Sequence, residues 1–126
     1  MIVDTSALIA ILRKEQGYQS LIETVLKADR VRISAATLLE SRMVANRDNG
    51  LSELAELLVT VDAEIIAVDQ VQADIAFQGF LRYGKGQHPA GLNFGDCFSY
   101  ALAKAYDEPL LFKGDDFPRT DIAAAI

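Results

Sequence analysis

The chain has one cysteine, one histidine and no tryptophan in 126 residues. Cys97 has no second cysteine to bond, which excludes an internal disulfide and a thiolate-based zinc site. His88 is the sole imidazole, so a histidine-rich zinc or iron centre is excluded too. Long apolar runs are also missing. Ala7 to Leu12 stops at Arg13 and Lys14, far short of the ~18 residues of a membrane span. The opening Met1-Ile2-Val3-Asp4 lacks the basic segment of a secretory signal, so the expected location is cytoplasmic. Positive charge is scarce: 12 Lys+Arg stand against 18 Asp+Glu, for a formal net charge of −6. That balance argues against the broad basic face of a general nucleic-acid binder.

What is present suffices for one compact domain over residues 1–126. A hydrophobic fraction of 51% with 24% charged residues is that of a globular chain rather than a disordered one. At this length roughly two-thirds of the surface can be buried on folding. No linker, repeat or low-complexity stretch interrupts it.

Apolar spacing predicts alternating strands and helices. Met1 to Val3, Val31 to Ile33, Ile65 to Val68 and Leu110 to Phe112 read as short strands. Helices are predicted from Thr5, after Gly17, after Ser34 as N-cap, over Leu51 to Val61, and after Asp69 as N-cap. A last helix carries Phe94, Cys97, Phe98, Ala101, Leu102 and Ala105 at helical spacing. Between Tyr83 and Gly95 the glycines and Pro89 predict a long loop, which in so small a domain is functional or mobile. The alternation predicts an α/β fold, a central, mostly parallel sheet of four to five strands with helices on both faces. Ligand sites in such sheets lie at the carboxyl ends of the strands.

Acids gather at that edge. Asp4 ends the first strand, where an N-cap is the bland reading. Glu40 falls within an apolar arc of Ala36, Leu39, Met43 and Val44, and Arg47 lies near enough on the helix to pair with it. Asp96 stands in a first helical turn behind Asn93, where the helix dipole favours an acid. Asp115 and Asp116 follow the fourth strand in a Gly-Asp turn. Each acid has an ordinary explanation, but four carboxylates at one edge would repel one another. A hard divalent cation such as Mg²⁺ or Mn²⁺ removes that repulsion, and an acidic pocket holding such ions suits phosphodiester hydrolysis.

The motifs also resemble a known family. Met1-Ile2-Val3-Asp4-Thr5-Ser6-Ala7, Ser34 to Glu40, Tyr83-Gly84-Lys85-Gly86, Gly91-Leu92-Asn93-Phe94-Gly95-Asp96 through Ala103, and Leu110 to Phe117 with Thr120-Asp121-Ile122 are similar, in order and spacing, to the PIN-domain endoribonuclease toxins of type II toxin–antitoxin pairs, the VapC family. The likeness spans essentially the whole chain. It implies a PIN-like fold and a Mg²⁺- or Mn²⁺-dependent endoribonuclease. Asp4 and Asp96 would be the principal metal ligands, and Glu40 and Asp116 would complete the set. Lys113-Gly114 departs from the family's usual pattern before the last acid, which leaves Asp115 as the alternative. Ser6 would orient Asp4. Hydrolysis by water would leave 5′-phosphate and 3′-hydroxyl ends, since no histidine pair is present for a cyclic-phosphate route.

The resemblance further implies a homodimer and a cognate antitoxin. The antitoxin's C-terminal segment would occupy the active-site groove, with an Arg facing the acids. No DNA-binding motif is present in this chain. Two divalent cations would bring the formal charge of −6 to about −2. Arg42, Arg47, Arg82, Lys85 and His88 either line a path for RNA or form a solvated helix face and loop. Three other readings compete. One is a PIN nuclease of RNA processing, which would lack a copurifying antitoxin. Another is an inactive binding module of the same fold. The third is a phosphorelay receiver with Asp69 as acceptor and Lys113 as its lysine, which leaves Glu40 and Asp96 unexplained.

Overall fold

The computed structural model describes all of residues 1–126. Its elements are β1 (Ile2–Val3), α1 (Thr5–Leu12), α2 (Tyr18–Lys27), β2 (Arg32–Ser34), α3 (Ala35–Arg47), α4 (Leu51–Thr60), β3 (Glu64–Ile66), α5 (Gln70–Tyr83), α6 (Phe94–Tyr106) and β4 (Leu110–Leu111), followed by a 3₁₀ turn at Phe117–Arg119. Short polar side chains make the turns into four helices. The Asp4, Ser34 and Asp69 side chains accept hydrogen bonds from the backbone N–H of Ser6, Ala36 and Gln72, and Asn93 forms a reciprocal capping box with Asp96. Each meets an N–H that would otherwise lack a partner at a helix start.

The four strands are parallel in the order β3-β2-β1-β4. A further parallel bridge joins Leu110 to Ala124. Neighbouring strand residues point to opposite faces, as the two-residue repeat demands. Val3, Ile33 and Leu111 pack with α1, α2 and Leu54 of α4 in one core, while Ile2 and Leu110 pack with α6, Leu92 and Phe117 in the other. Ile2, Leu8, Ile33, Leu54, Leu92, Leu102, Leu110 and Leu111 are all essentially inaccessible. Each such side chain contributes roughly 1.5–3 kcal/mol by leaving water.

Two helices are set differently from what their apolar spacing predicts. In α3 the buried face is Thr37, Ser41 and Ala45, while Leu39 and Met43 are about 60% exposed. Ala35 follows β2 without a connecting loop, so the strand's end fixes the helix rotation, and small side chains let α3 lie close to α1. In α6 the covered surface extends to Ser99, Tyr100 and Ala103. Phe94 and Phe98 instead line an apolar groove of about 440 Å³ with Ala73, Ala76, Phe77 and Phe80 of α5. Helices α5 and α6 approach so closely that a Cβ at Gly79 would collide with the Tyr100 ring.

The predicted loop after α5 is tied down. Lys85 N–H donates to the Leu92 carbonyl (2.9 Å), Leu92 N–H donates to the Tyr83 carbonyl (3.0 Å), and Ala90 and Leu92 are buried. At the amino edge of the sheet, Glu108 accepts from both the Met1 amino group and the Arg32 guanidinium. The same guanidinium lies over the Tyr106 ring. Burial lowers the pKa of the Met1 amine, and Arg32 and Arg30 push it the same way.

Candidate active site

The chain runs from β1 to β2 and β3 on one side, then places β4 on the other side of β1. That reversal opens a crevice at the carboxyl ends of β1 and β4, where open α/β sheets bind ligands. A cleft of about 460 Å³ lies there, and Asp4, Glu40 and Asp96 all line it.

Asp4 is only 3% exposed and both of its oxygens are engaged. Oδ1 accepts from Ser99 Oγ at 2.6 Å; Oδ2 accepts from Ser6 N at 3.0 Å and Ser6 Oγ at 2.7 Å. Ser6 Oγ in turn accepts from the backbone N–H of Lys113 at 3.0 Å, which ties the loop after β4 to the start of α1. Because the Ser99 hydroxyl donates to Asp4, its own acceptor position takes the Thr37 hydroxyl at 3.2 Å. Glu40 Oε1 accepts from Thr5 Oγ1 at 2.5 Å, and Thr5 lies 3.2 Å from Ser41 Oγ. A buried row of hydroxyls thus fixes two carboxylates from behind. Gly95 gives Glu40 its place, since a Cβ there would collide with the carboxylate.

Asp96 Oδ2 accepts from the Asn93 backbone N–H at 3.0 Å. Even so, its pKa is raised to about 7. Desolvation is the largest cause, and the charges of Asp4, Asp116 and Glu40 add to it against the opposing Asn93 hydrogen bond. Asp116 therefore stands within electrostatic reach of Asp96; Asp115 is not among the charges acting on it. Both are exposed beside the 3₁₀ turn.

None of the ion pairs in the structure includes Asp4, Glu40, Asp96 or Asp116. No three Asp, Glu, His or Cys side chains stand close enough to form a ready metal cage. The donor set is nonetheless all hard oxygen, and Asp4, Glu40 and Asp96 line one crevice with no ion pair to a protein cation. It fits a divalent ion that keeps several waters, as Mg²⁺ does.

The predicted basic contacts do not line this cleft. Arg42 lies in a different depression with Leu38, Leu58 and Asp62. Arg82 stacks on Tyr83 and pairs with Asp121 at 3.7 Å. Lys85 is exposed on the loop after α5, and Arg47 is exposed without an ion pair to Glu40. His88 Nδ1 accepts from Ala90 N at 3.0 Å, inside that loop. The cations that do line the cleft are Arg13 and Lys113. Sequence reasoning missed Arg13, Thr5, Thr37, Ser41 and Ser99. Its available signal was the i, i+4 spacing of Thr37 and Ser41 on one face of a helix. Asp69, the acceptor in the receiver reading, is the N-cap of α5 (2.9 Å to Gln72 N) behind the edge strand β3, two strands from Asp4.

The sequence profile of the PIN domain matches residues 1–123. Ribonuclease VapC of Mycolicibacterium smegmatis is 48% identical over 128 residues, covering 98% of each chain. Two solved structures share the fold. Mycobacterium tuberculosis VapC20, a toxin that cleaves the sarcin–ricin loop, superposes with a TM-score of 0.77 at 16% identity over 97% of this chain and 95% of that one. A toxin–antitoxin complex from Klebsiella pneumoniae gives 0.74 at 18% identity over 99% and 97%. With its parallel sheet, its carboxyl-edge acids and near-full-length identity of this order, the chain belongs to the PIN-domain family, among the VapC ribonucleases.

Proposed function

We propose that this chain is the endoribonuclease toxin of a type II toxin–antitoxin pair and hydrolyses RNA at the acid cleft with Mg²⁺ or Mn²⁺. Three carboxylates facing one crevice without a cation partner, in a chain 48% identical to a ribonuclease, support this reading above any other. Asp4 and Asp96 would hold the cation, with Glu40 and Asp116 completing the set. The influence of Asp116 on Asp96 favours it over Asp115 as the fourth acid.

When bound, the divalent ion supplies an acidified water and a counter-charge for the phosphate and the leaving oxygen. The chain's own residues prepare the site. Ser6 and Ser99 fix both oxygens of Asp4, and Thr5 fixes one oxygen of Glu40, so little ordering remains when the ion enters. Asp96 gives up its proton as pH rises through about 7, which completes the charged set. The scissile phosphate would sit above these groups, and attack by water without the 2′-hydroxyl would leave 5′-phosphate and 3′-hydroxyl ends.

Its proposed partners are RNA, a second copy of the chain, and a cognate antitoxin whose C-terminal segment fills the cleft and sets an Arg against the acids. Operator DNA binding is assigned to the antitoxin. No helix is long and apolar enough to cross a membrane; the proposed place of action is the cytoplasm. The deciding experiment is cleavage of total cellular RNA with Mg²⁺, with Mn²⁺ and with EDTA, beside Asp4→Ala and Asp96→Asn. Metal-dependent cutting that both variants lose, with 5′-phosphate ends, is the expected result. A folded, antitoxin-free wild type that cuts nothing would refute the proposal.

A further inference from the structure

We propose that Arg13 and Lys113 form a phosphate subsite that holds the RNA backbone next to the bond being cut. The inference deepens the nuclease reading and rests on it. The cleft carries both signs of charge: Asp4, Glu15, Glu40 and Asp96 line it, and Arg13 and Lys113 are its only cations. A polyanion approaching four clustered acids is repelled, and a chain of net charge −6 has no broad basic field to offset this. Two cations lining the same cleft attract the backbone locally.

Geometry aims both groups. Asp4 and Arg13 cap the two ends of α1, nine residues apart, or about 13 Å along the axis at 1.5 Å per residue. Arg13 nevertheless lines the same cleft as Asp4. Its Nε donates to Asp48 at 2.7 Å, which steadies the guanidinium and leaves both terminal nitrogens without a protein partner. A planar fork held in this way suits phosphate oxygens. Lys113 is placed by its own main chain, whose N–H is bonded to Ser6 Oγ beside Asp4. Its Nζ donates to the Gln16 carbonyl at 2.7 Å, with Glu15 at 3.6 Å, and an ammonium has three donors. Both cations are thus tethered in advance by α1–α2 and α3–α4 turn residues, which lowers the ordering lost on binding.

The test uses the full-length chain and an RNA fragment that the wild type cuts, with Arg13→Gln, Lys113→Gln, the double variant, Lys113→Arg, and Lys27→Gln as a control that removes an exposed charge elsewhere. Affinity is also read by anisotropy of a fluorescein-labelled single-stranded RNA on the Asp96→Asn background. The double variant should raise KM about tenfold, change kcat less than twofold and flatten the salt dependence of log K by roughly 0.7 per charge removed. Lys113→Arg should restore most of the affinity, and Lys27→Gln should behave as wild type. Unchanged KM and salt slope in a folded double variant would overturn the subsite. So would a loss that Lys27→Gln reproduces, or a loss confined to kcat. A wild type that neither cuts nor binds RNA would instead sink the nuclease reading, and the subsite with it.

Discussion

Asp96→Asn separates what the acid cluster does to stability from what it does to catalysis. In the metal-free chain the Asp96 pKa stands at about 7, from an ordinary 3.8. The native state therefore holds a proton that the unfolded chain has released, so stability falls as pH rises from about 4 to about 7 and then levels. A rise of roughly three units corresponds to about 4 kcal/mol at 1.36 kcal/mol per unit. Asp96 is partly exposed, and solvent screening brings the expected effect to about 2 kcal/mol. An asparagine keeps a carbonyl oxygen to accept from Asn93, so the cap survives without the charge. It forfeits a first-turn charge worth about 0.3–1 kcal/mol. The net gain for Asp96→Asn at pH 8 is then about 1–2 kcal/mol, or roughly 4–8 °C in Tm for a chain of this size.

The assay is thermal unfolding of both proteins in EDTA from pH 4 to pH 8. The variant should melt close to wild type at pH 4 and above it at pH 8. Saturating Mg²⁺ should then raise the wild type by mass action and leave the variant where it was. Equal Tm values across the whole pH range would refute the repulsion, and an Mg²⁺ shift retained by the variant would refute the ligand role of Asp96.

Ser99→Ala removes the donor to Asp4 Oδ1; cleavage should fall about 10–100-fold and stability by about 1–3 kcal/mol, read by kcat and urea unfolding. Gly95→Ala should leave Tm nearly unchanged, since the colliding atoms are the mobile end of Glu40 and alanine favours the helix. It should still lower cleavage about tenfold by breaking the Thr5–Glu40 bond, on the scale of a lost supporting hydrogen bond. Wild-type cleavage in Gly95→Ala would show that Glu40 is not needed in its present place. Glu108→Ala acts at the opposite edge of the sheet, leaving Arg32 and the Met1 amine without their shared acceptor. It should cost about 2–3 kcal/mol in urea unfolding with kcat at 20 °C unchanged, and a change in kcat would show that the two edges are coupled.

Most of the fold is legible because three of the four strands are followed by a residue that can start a helix. Asp4, Ser34 and Asp69 declare those turns and the apolar residues before them declare the strands, while Asn93 declares the start of α6. Position 40 shows where such reading ends. Glu40 attracts notice as an acid within an apolar arc, yet Leu39 and Met43 of that arc face solvent. The helix is rotated by its direct continuation from β2, and this rotation is a property of the packed sheet rather than of the local pattern. Serine 99 is silent in the sequence for a related reason. A serine within a helix carries no propensity signal strong enough to mark it, and only the crossing of α6 over the end of β1 sets its hydroxyl against Asp4. Arg13 and Lys113 lie 100 residues apart, and the β1–β4 pairing is what brings them to one cleft.

The two edges of the sheet treat charge differently. At the amino edge the carboxylate of Glu108 is paired with both the Arg32 guanidinium and the Met1 amine, so charge there contributes to holding β1, β2 and the turn before β4 together. At the carboxyl edge the same strands end in Asp4 and the Lys113–Asp116 turn, and none of the four acids has a cation. Hydroxyls hold two of these acids in place instead, and a hydroxyl fixes orientation without cancelling charge. Replacing Ser99 or Thr5 by a basic residue would neutralise the repulsion at once, and would also remove the field that attracts a divalent ion. On the proposed reading, the strain at this edge is the same physical quantity as its affinity: the free energy lost by crowding Asp4, Glu40 and Asp96 at one cleft, with Asp116 acting on Asp96, would be recovered on binding a divalent cation.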